Sequence, residues 1–347
     1  MPTLGLAMRQ ALIVGPDRFQ VVPAPVPRLQ SDHDILIRTS ASGICSGDLM
    51  AWYLAKKVGT VLGHEVVGRA VEVGVGVKHV RPGDLVFPHH HAPCRDCAEC
   101  RRGAFVHCRT WRASRLDPGG MAEYLRVPAE NVRADTFAVN DLTPEQAVFI
   151  EPLACSVKAL RRVPGLGASM TGVVVGCGVM GLLNLAVARA LGVENLVAVE
   201  PDPDRRRLAP DFGAGAALDP EEADRTLIHA GDFVVIGPGQ PDVVRQALSY
   251  VRPGGTAVLF TPTPAGVTTA LDLGELYFCE VSLVPSYSCG PEDTRQAYEL
   301  LRRGRVRPQA LVTHRFPLDN IQEAYETARR GGPAVKVLIT FPEGAPP

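Results

Sequence analysis

The stretch TGVVVGCGVMGLLNLAVARALG, beginning at Thr171, narrows the folds open to this chain more than any other. An apolar run leads into Gly176, Gly178 and Gly181, and the apolar residues beyond recur at helical spacing. Each glycine of a G-x-G-x-x-G triplet between strand and helix has a mechanical reason. The first permits a tight turn, the second lets a pyrophosphate approach the backbone, and the third lets helix pack on strand with its N-terminus facing the anion. The next apolar run, LVAVE, ends in Glu200, roughly twenty positions on, where an acid accepts hydrogen bonds from an adenine ribose diol. That carboxylate repels a 2'-phosphate, so NAD is expected over NADP, although Arg205 to Arg207 lie next door.

The same texture continues through LVAVE, RRRLAPDFG, DFVVIG, PDVVRQALSYV and GGTAVLFT. Apolar runs alternating with helix-period segments predict βαβ units and a doubly wound parallel sheet, an α/β fold of Rossmann type. Up to about residue 150 the pattern is different: short β-branched runs such as HDILIRTSASGIC, VVGRAVEVG, GDLVF and AEYLRVP, punctuated by glycine and proline, predict a β-barrel-like domain. MRQALIV reads as the first strand, with Met8 as a candidate start. Past Pro285, PEDTRQAYELLRRGRV and LDNIQEAYETARRG read as amphipathic helices before a closing strand, AVKVLITF, and a short PEGAPP end. A chain of 347 residues is long enough for two cores.

Two groups of metal-ligand residues stand out. Cys94, Cys97, Cys100 and Cys108 follow C-x2-C-x2-C-x7-C, four thiolates that close a tetrahedral zinc shell. A closed shell has no position for substrate, so this zinc is expected to be structural. The second group is scattered: Cys45 in GICSGD, His64 and Glu65 in LGHE, and Glu151 in FIEPLA. Brought together, a thiolate, an imidazole and carboxylates give a three-ligand zinc with an exchangeable place, as catalysis requires; apart, His64 is an ordinary structural histidine.

Net charge of -1 and a pI near 6.8 leave no electrostatic footprint for nucleic acid or an anionic membrane, and weigh against a zinc-ribbon nucleic-acid module. No run reaches the roughly 18 apolar residues of a membrane span, and the N-terminus has no secretory pattern. A cytoplasmic protein is expected, in which nine cysteines are poor disulfide candidates.

The GIC and GHE segments, the four-cysteine lobe, GGMAEYLRVPAENV, EPLACSV and VVVGCGVMG, in that order, resemble the zinc-containing medium-chain dehydrogenase/reductases of the alcohol dehydrogenase superfamily. The resemblance covers nearly the whole chain and is nearest to the polyol and threonine dehydrogenase branch, because of the glutamate in EPL. It implies a split GroES-like catalytic domain at 1–155 and 290–347, with the zinc lobe at about 88–112, and a Rossmann dinucleotide-binding domain at 156–289.

Carried over by residue, the resemblance implies catalytic-zinc ligands at Cys45 and His64, with Glu65 and Glu151 as direct or water-mediated partners. It places Met180, Glu200 and Arg205 against NAD, and Phe260, Thr261, Pro262, Ser286 and Tyr287 along its nicotinamide half. Two zinc ions per chain follow. Cys155, Cys177, Cys279 and Cys289 match no ligand position and are expected in packing. Relatives carry a hydroxyl two places after the first zinc cysteine; here that place is Gly47, so Ser46, water, Glu65 or a neighbouring histidine takes the alcohol proton.

His90 and His91 fall where relatives line the substrate pocket, and Trp52 and Tyr53 either shape it or simply pack. The implied activity is hydride transfer between a polar secondary alcohol and NAD, the alcohol being a polyol, sugar, aminocyclitol or 3-hydroxy amino acid. A simple alcohol dehydrogenase or a catalytically silent cofactor-binding member are the rivals. EVSLVPSY resembles an edge strand that pairs across a dimer axis, so a homodimer or homotetramer is expected.

Overall fold

In a computed structural model that describes residues 7–342, the strands follow the predicted runs closely. In chain order they are β1 (Ala7–Gly15), β2 (Arg18–Pro25), β3 (Ile35–Gly43), β4 (Glu65–Val73), β5 (Leu85–Pro88), β6 (Tyr124–Val127), β7 (Thr136–Ala138), β8 (Thr171–Val175), β9 (Asn195–Val199), β10 (Ala216–Leu218), β11 (Gly231–Ile236), β12 (Val251–Leu259), β13 (Ser282–Pro285), β14 (Val312–Pro317) and β15 (Lys336–Thr340). The residues before Ala7 and most of the PEGAPP end lie outside the described residues. Two units result: one holds the chain up to Glu151, Gly290–Arg302 and everything from Arg307, and the other holds Pro152–Cys289 and Arg303–Val306. The short piece at 303–306 joins the second unit because Arg305 donates to the Ala190 carbonyl there at 3.2 Å.

The first unit is built on a sheet ordered β14-β15-β3-β4-β5-β7, with β6 also on β3, and a separate β1/β2 hairpin. Apart from β14 on β15, these pairings are antiparallel. β3 lies between neighbours and carries buried residues on both faces, which is why ILIRTSASG does not alternate cleanly. Two larger cores and two smaller clusters are buried in the unit, and the larger pair carries the sheet. Ile35, Ile37, Val66, Val86, Leu125 and Val127 form one; Ile13, Ile44, Leu54, Ile339 and the helix Ile321–Arg330, through Ile321, Ala324 and Tyr325, form the other.

The second unit is a parallel sheet ordered β10-β9-β8-β11-β12-β13, the doubly wound Rossmann order. Its central strands are mostly apolar and buried because helices cover both faces of such sheets. The segment RRRLAPDFG, expected as one helix, is instead the short helix Pro203–Arg206 followed by a tight 3-10 turn, Ala209–Phe212. Pro210 supplies no amide hydrogen and breaks the run. β13, from EVSLVPSY, lies at the sheet edge and pairs only with β12. Of the four cysteines expected in packing, Cys177 and Cys289 are buried, while Cys155 and Cys279 are only partly so. No helix among the described residues is long and apolar enough to cross a membrane.

Candidate active site and metal centres

Strand register explains how distant residues meet in the first unit. β3 ends opposite the start of β4, with Gly43 across from Glu65, so Cys45 just past β3 and His64 just before β4 arrive together. β15 runs antiparallel on the other side of β3, with Leu338 across from Gly43 and the Ile44 amide bonded to the Val337 carbonyl, which brings Lys336 to the same end. One ligand atom each from Cys45, His64 and Glu65 lies within 4.8 Å of the others. Glu65 is buried and bonds to the buried ammonium of Lys336, which also donates to the Ile44 carbonyl at 3.1 Å. A side chain at position 43 would collide with both partners, so Gly43 makes room for this pair.

Behind His64 stands Asp48, 3.4 Å from Nδ1 and fully buried. A carboxylate on Nδ1 fixes the ring and leaves Nε2 as the outward donor, the arrangement usual for metal-binding histidines. Burial pulls the His64 imidazole down, but Asp48 and Cys45 more than reverse this and hold it well above the ordinary histidine range. Burial pushes up the Cys45 thiol and the carboxyls of Asp48 and Glu151. Several acids crowded where none ionises easily, with a thiol, an imidazole and a carboxylate facing one point, fit a borderline-soft dication such as zinc. Ser46 is exposed at the start of the 3-10 turn Ser46–Leu49, and the Gly47 amide donates to Cys45 Sγ at 3.4 Å.

Glu151 interacts with His64 and Glu65 and also lies against two further histidines. It groups with His89 and His90 by ligand-atom distance, while Glu65 groups with Cys45 and His64. β5 explains the histidines: it pairs with β7, Pro88 across from Thr136, so the next residue, His89, meets Asp135. The His89 amide bonds to the Asp135 carbonyl at 3.0 Å, and His89 Nδ1 lies 2.8 Å from Asp135 Oδ2. His90 turns toward the site, its ring centroid 4.9 Å from that of His64. His91 turns the other way and stacks on Trp111 at 3.8 Å. Burial, then the neighbouring imidazoles, hold His90 well below the ordinary range and His91 down at about 3, so both rings are neutral. Trp52 and Tyr53, on the short helix Ala51–Leu54, meet edge to face and carry Lys56 and Lys57 over their rings.

The four cysteines of the lobe form one group with Trp111 and Val106 packed against it. Backbone amides point at the sulfurs: Cys94 to Cys108 Sγ at 3.4 Å, and Asp96 and Cys97 to Cys94 Sγ at 3.4 and 3.3 Å. Burial opposes ionisation of Cys108, yet amide donors bring it down to about 6, whereas burial and its sulfur neighbours push Cys100 up to about 12. Four thiols in this arrangement lose their protons in separated steps unless a cation sits among them.

In the second unit, Gly176 has φ +91°, and a side chain at Gly181 would run into the Gly176 carbonyl, so both must be glycine. A side chain at Gly178 would meet nothing within 4 Å, leaving backbone open to a phosphate at the start of the helix Val179–Ala190. Glu200, buried past the end of β9, accepts from the Cys177 amide at 2.6 Å and the Asp202 amide at 3.0 Å. Its carboxylate is thus fixed beside the glycine loop. Met180 lies in the first turn of that helix, and Arg205 lies 3.9 Å from Asp202. Phe260, Thr261 and Pro262 follow β12, and Ser286 and Tyr287 follow β13, all at the carboxyl edge where ligands of such sheets bind. The loop and its acid suit a dinucleotide.

Sequence reading missed Asp48, Lys336, His89 and Asp135. Two had a signal: an acid three positions after a candidate zinc cysteine, and a lone lysine inside the apolar strand AVKVLITF, where a buried charge needs a partner.

Comparison with known proteins gives the family. The alcohol dehydrogenase GroES-like domain family matches residues 31–135, and the zinc-binding dehydrogenase family matches residues 179–303. L-threonine 3-dehydrogenase of Pyrococcus horikoshii is 31% identical over 89% of this chain and 90% of its own length. Erythritol/L-threitol dehydrogenase of Mycolicibacterium smegmatis is 28% identical over 96% and 97%. Among solved structures, alcohol dehydrogenase from Thermus sp. superposes with a TM-score of 0.84 at 29% identity, covering 96% of this chain and 99% of that one. A Sinorhizobium meliloti protein solved as a zinc-binding dehydrogenase bound to NADP superposes at 0.86 with 26% identity and the same coverage. The chain belongs to the zinc-containing medium-chain alcohol dehydrogenase superfamily, and it is an oxidoreductase.

Proposed function

We propose that the chain is a zinc-dependent, NAD-linked dehydrogenase that interconverts a polar secondary alcohol and its ketone. The alcohol class is a polyol, sugar, aminocyclitol or 3-hydroxy amino acid. The observation that carries the reading is the meeting of Cys45, His64 and Glu65 with Asp48 behind the histidine. A zinc ion held there supplies Lewis acidity toward an alcohol oxygen, and the nicotinamide supplies the hydride acceptor.

The chain's residues do the remaining work. Asp48 keeps His64 Nε2 aimed at the ligand point, and Lys336 neutralises Glu65 so that the buried site is not left with an unpaired acid. Ser46, exposed beside Cys45, offers a hydroxyl through which a proton can pass to water. Glu200 favours an unphosphorylated ribose, which supports NAD although the S. meliloti relative was solved with NADP. The part-buried His90 ring supplies a polar wall, and the relatives named for threonine and erythritol support a polar substrate. His90, with Trp52 and Tyr53, is the candidate selector, whereas His91 faces the lobe's Trp111.

The test is a panel of polyols, sugars, aminocyclitols and L-threonine with NAD and with NADP, read by absorbance of the reduced nicotinamide. Turnover with NAD, in protein holding about two zinc ions per chain, is expected. Reduction of neither cofactor by any substrate, in fully zinc-loaded protein, sinks the dehydrogenase reading; a strong NADP preference sinks the role given to Glu200. Self-association is part of the proposal: edge strand β13 follows a helix that exposes Leu273, Tyr277 and Phe278, a surface suited to a second copy. Sedimentation at several concentrations checks it, and a monomer throughout removes it.

A further inference from the structure

We propose that Cys155 and Cys289 are a redox pair of the second unit, which a peroxide oxidises to a reversible disulfide. Their Sγ atoms lie within 4.8 Å of each other. A disulfide needs about 2 Å, and a change of side-chain rotamer is the movement that closes such a gap.

The pairing is built into the way two segments meet. Cys155 lies on the helix Ile150–Leu160, and Lys158 stands three positions on, along the same face. Cys289 follows β13, with Tyr287 two positions before it. Lys158 Nζ donates to the Tyr287 carbonyl at 2.6 Å, so the helix face that carries Cys155 is already fastened to the segment that carries Cys289. Between Tyr287 and Cys289, Ser288 has φ +52°, so the chain turns sharply there instead of running on from β13.

Burial sets the order of events. Cys155 is part-buried and Cys289 is buried, so the oxidant reaches Cys155 first. The Cys155 sulfur attacks one peroxide oxygen, the O–O bond breaks, and the displaced hydroxide takes the thiol proton and leaves as water, giving a sulfenic acid. The Cys289 sulfur then attacks the sulfenic sulfur. The S–O bond breaks as the S–S bond forms, and the hydroxide leaves with the Cys289 proton as a second water. Two thiols lose two electrons and two protons, and the peroxide is reduced to two waters. Neither cysteine belongs to the lobe or to the Cys45 group, so the step takes no thiolate from zinc. Glu151 lies one turn before Cys155 on the same helix, and Ser286 and Tyr287 come just before Cys289. The bond therefore restrains both the helix and the segment, and oxidised protein loses turnover. That consequence rests on the dehydrogenase reading; the bond itself does not.

Peptide mapping tests it. The full, zinc-loaded chain is treated with hydrogen peroxide, remaining thiols are alkylated, and the protein is digested without reduction for mass spectrometry. The expected product is a pair of peptides joined through Cys155 and Cys289, released by dithiothreitol, with zinc content unchanged. Cys289→Ser should abolish the linked pair, and the loss of NAD reduction that dithiothreitol reverses in the parent chain should be absent from it. A linked pair without any turnover would overturn the dehydrogenase reading and leave the redox pair standing. The proposal is overturned if both cysteines are still alkylated at a peroxide dose that already strips zinc from the lobe, or if Cys155 is found joined to a different cysteine. The parent chain alone gives either answer, so a variant that fails to fold does not spoil the test.

Discussion

The lobe and the Cys45–His64 site are both candidate metal centres of the first unit, but they are made in opposite ways. The lobe draws its ligands from Cys94 to Cys108, and neighbouring amides of the same segment bond to their sulfurs. Cys45, His64 and Glu65 converge because β3 and β4 pair with Gly43 across from Glu65, and Lys336 joins them across β15. The lobe is four thiols with no other ligand type; the site mixes a thiol, an imidazole and a carboxylate, each backed by another charged or polar group. A centre made from one short segment can be saturated and inert. A centre assembled from separate strands can keep a place for substrate, because each ligand is positioned independently. The consecutive rings of His90 and His91 stand between the two: one faces His64, the other stacks on Trp111 over the lobe.

The largest effect should come from the lobe. Cys108→Ala opens a structural shell, and because metal binding there is folding free energy, a loss of several kcal/mol of stability is expected together with one zinc. Melting temperature and metal analysis check it; unchanged melting in a protein that has lost the lobe zinc would break the contrast between an inert and a reactive centre. Cys45→Ala should do the reverse, leaving melting and lobe zinc nearly unchanged while kcat/KM on the preferred alcohol falls on the order of a thousandfold or more.

A subtler change separates ligand from support. Asp48→Asn leaves every metal ligand in place but loosens the orientation of His64, and zinc affinity at this site should fall about 10- to 100-fold, measured by competition with a chelator, with lobe zinc retained. An affinity that does not move would reduce Asp48 to packing. The smallest effect concerns acid. Zinc competes with protons for its ligands; Cys45 and His64 are both held above their ordinary values and stand in a site with fewer ligands than the four-thiolate lobe, where Cys108 is held down near 6 and Cys100 pushed up to about 12. As pH falls, zinc should therefore leave the Cys45–His64 site first, at a midpoint about one pH unit or more above release from the lobe. Metal content after equilibration at a series of pH values measures both midpoints, and release in the opposite order contradicts the contrast.

Much of this was legible in residues close together in the chain. The glycine triplet with Glu200, the βαβ alternation and the four-cysteine spacing each depend on a single turn or segment, and each appears in the structure where it was read. The helix expected at RRRLAPDFG failed for an equally local reason, the missing amide hydrogen of Pro210. The scattered ligands were legible only as a set. The further company of Glu151 was not: it interacts with His64 and Glu65 and also groups with His89 and His90.

By itself, then, the sequence determined the kinds of element, the dinucleotide loop, the closed lobe and the residue types from which an open metal site could be drawn, because these follow from periodicity and short spacing. Only the tertiary structure decided that Asp48 stands behind His64, that Lys336 neutralises Glu65, and that three consecutive histidines point to three different partners, Asp135, His64 and Trp111. Those pairings are set by strand register across long stretches of chain, and a one-residue shift in any of them would turn the same side chains to the opposite face.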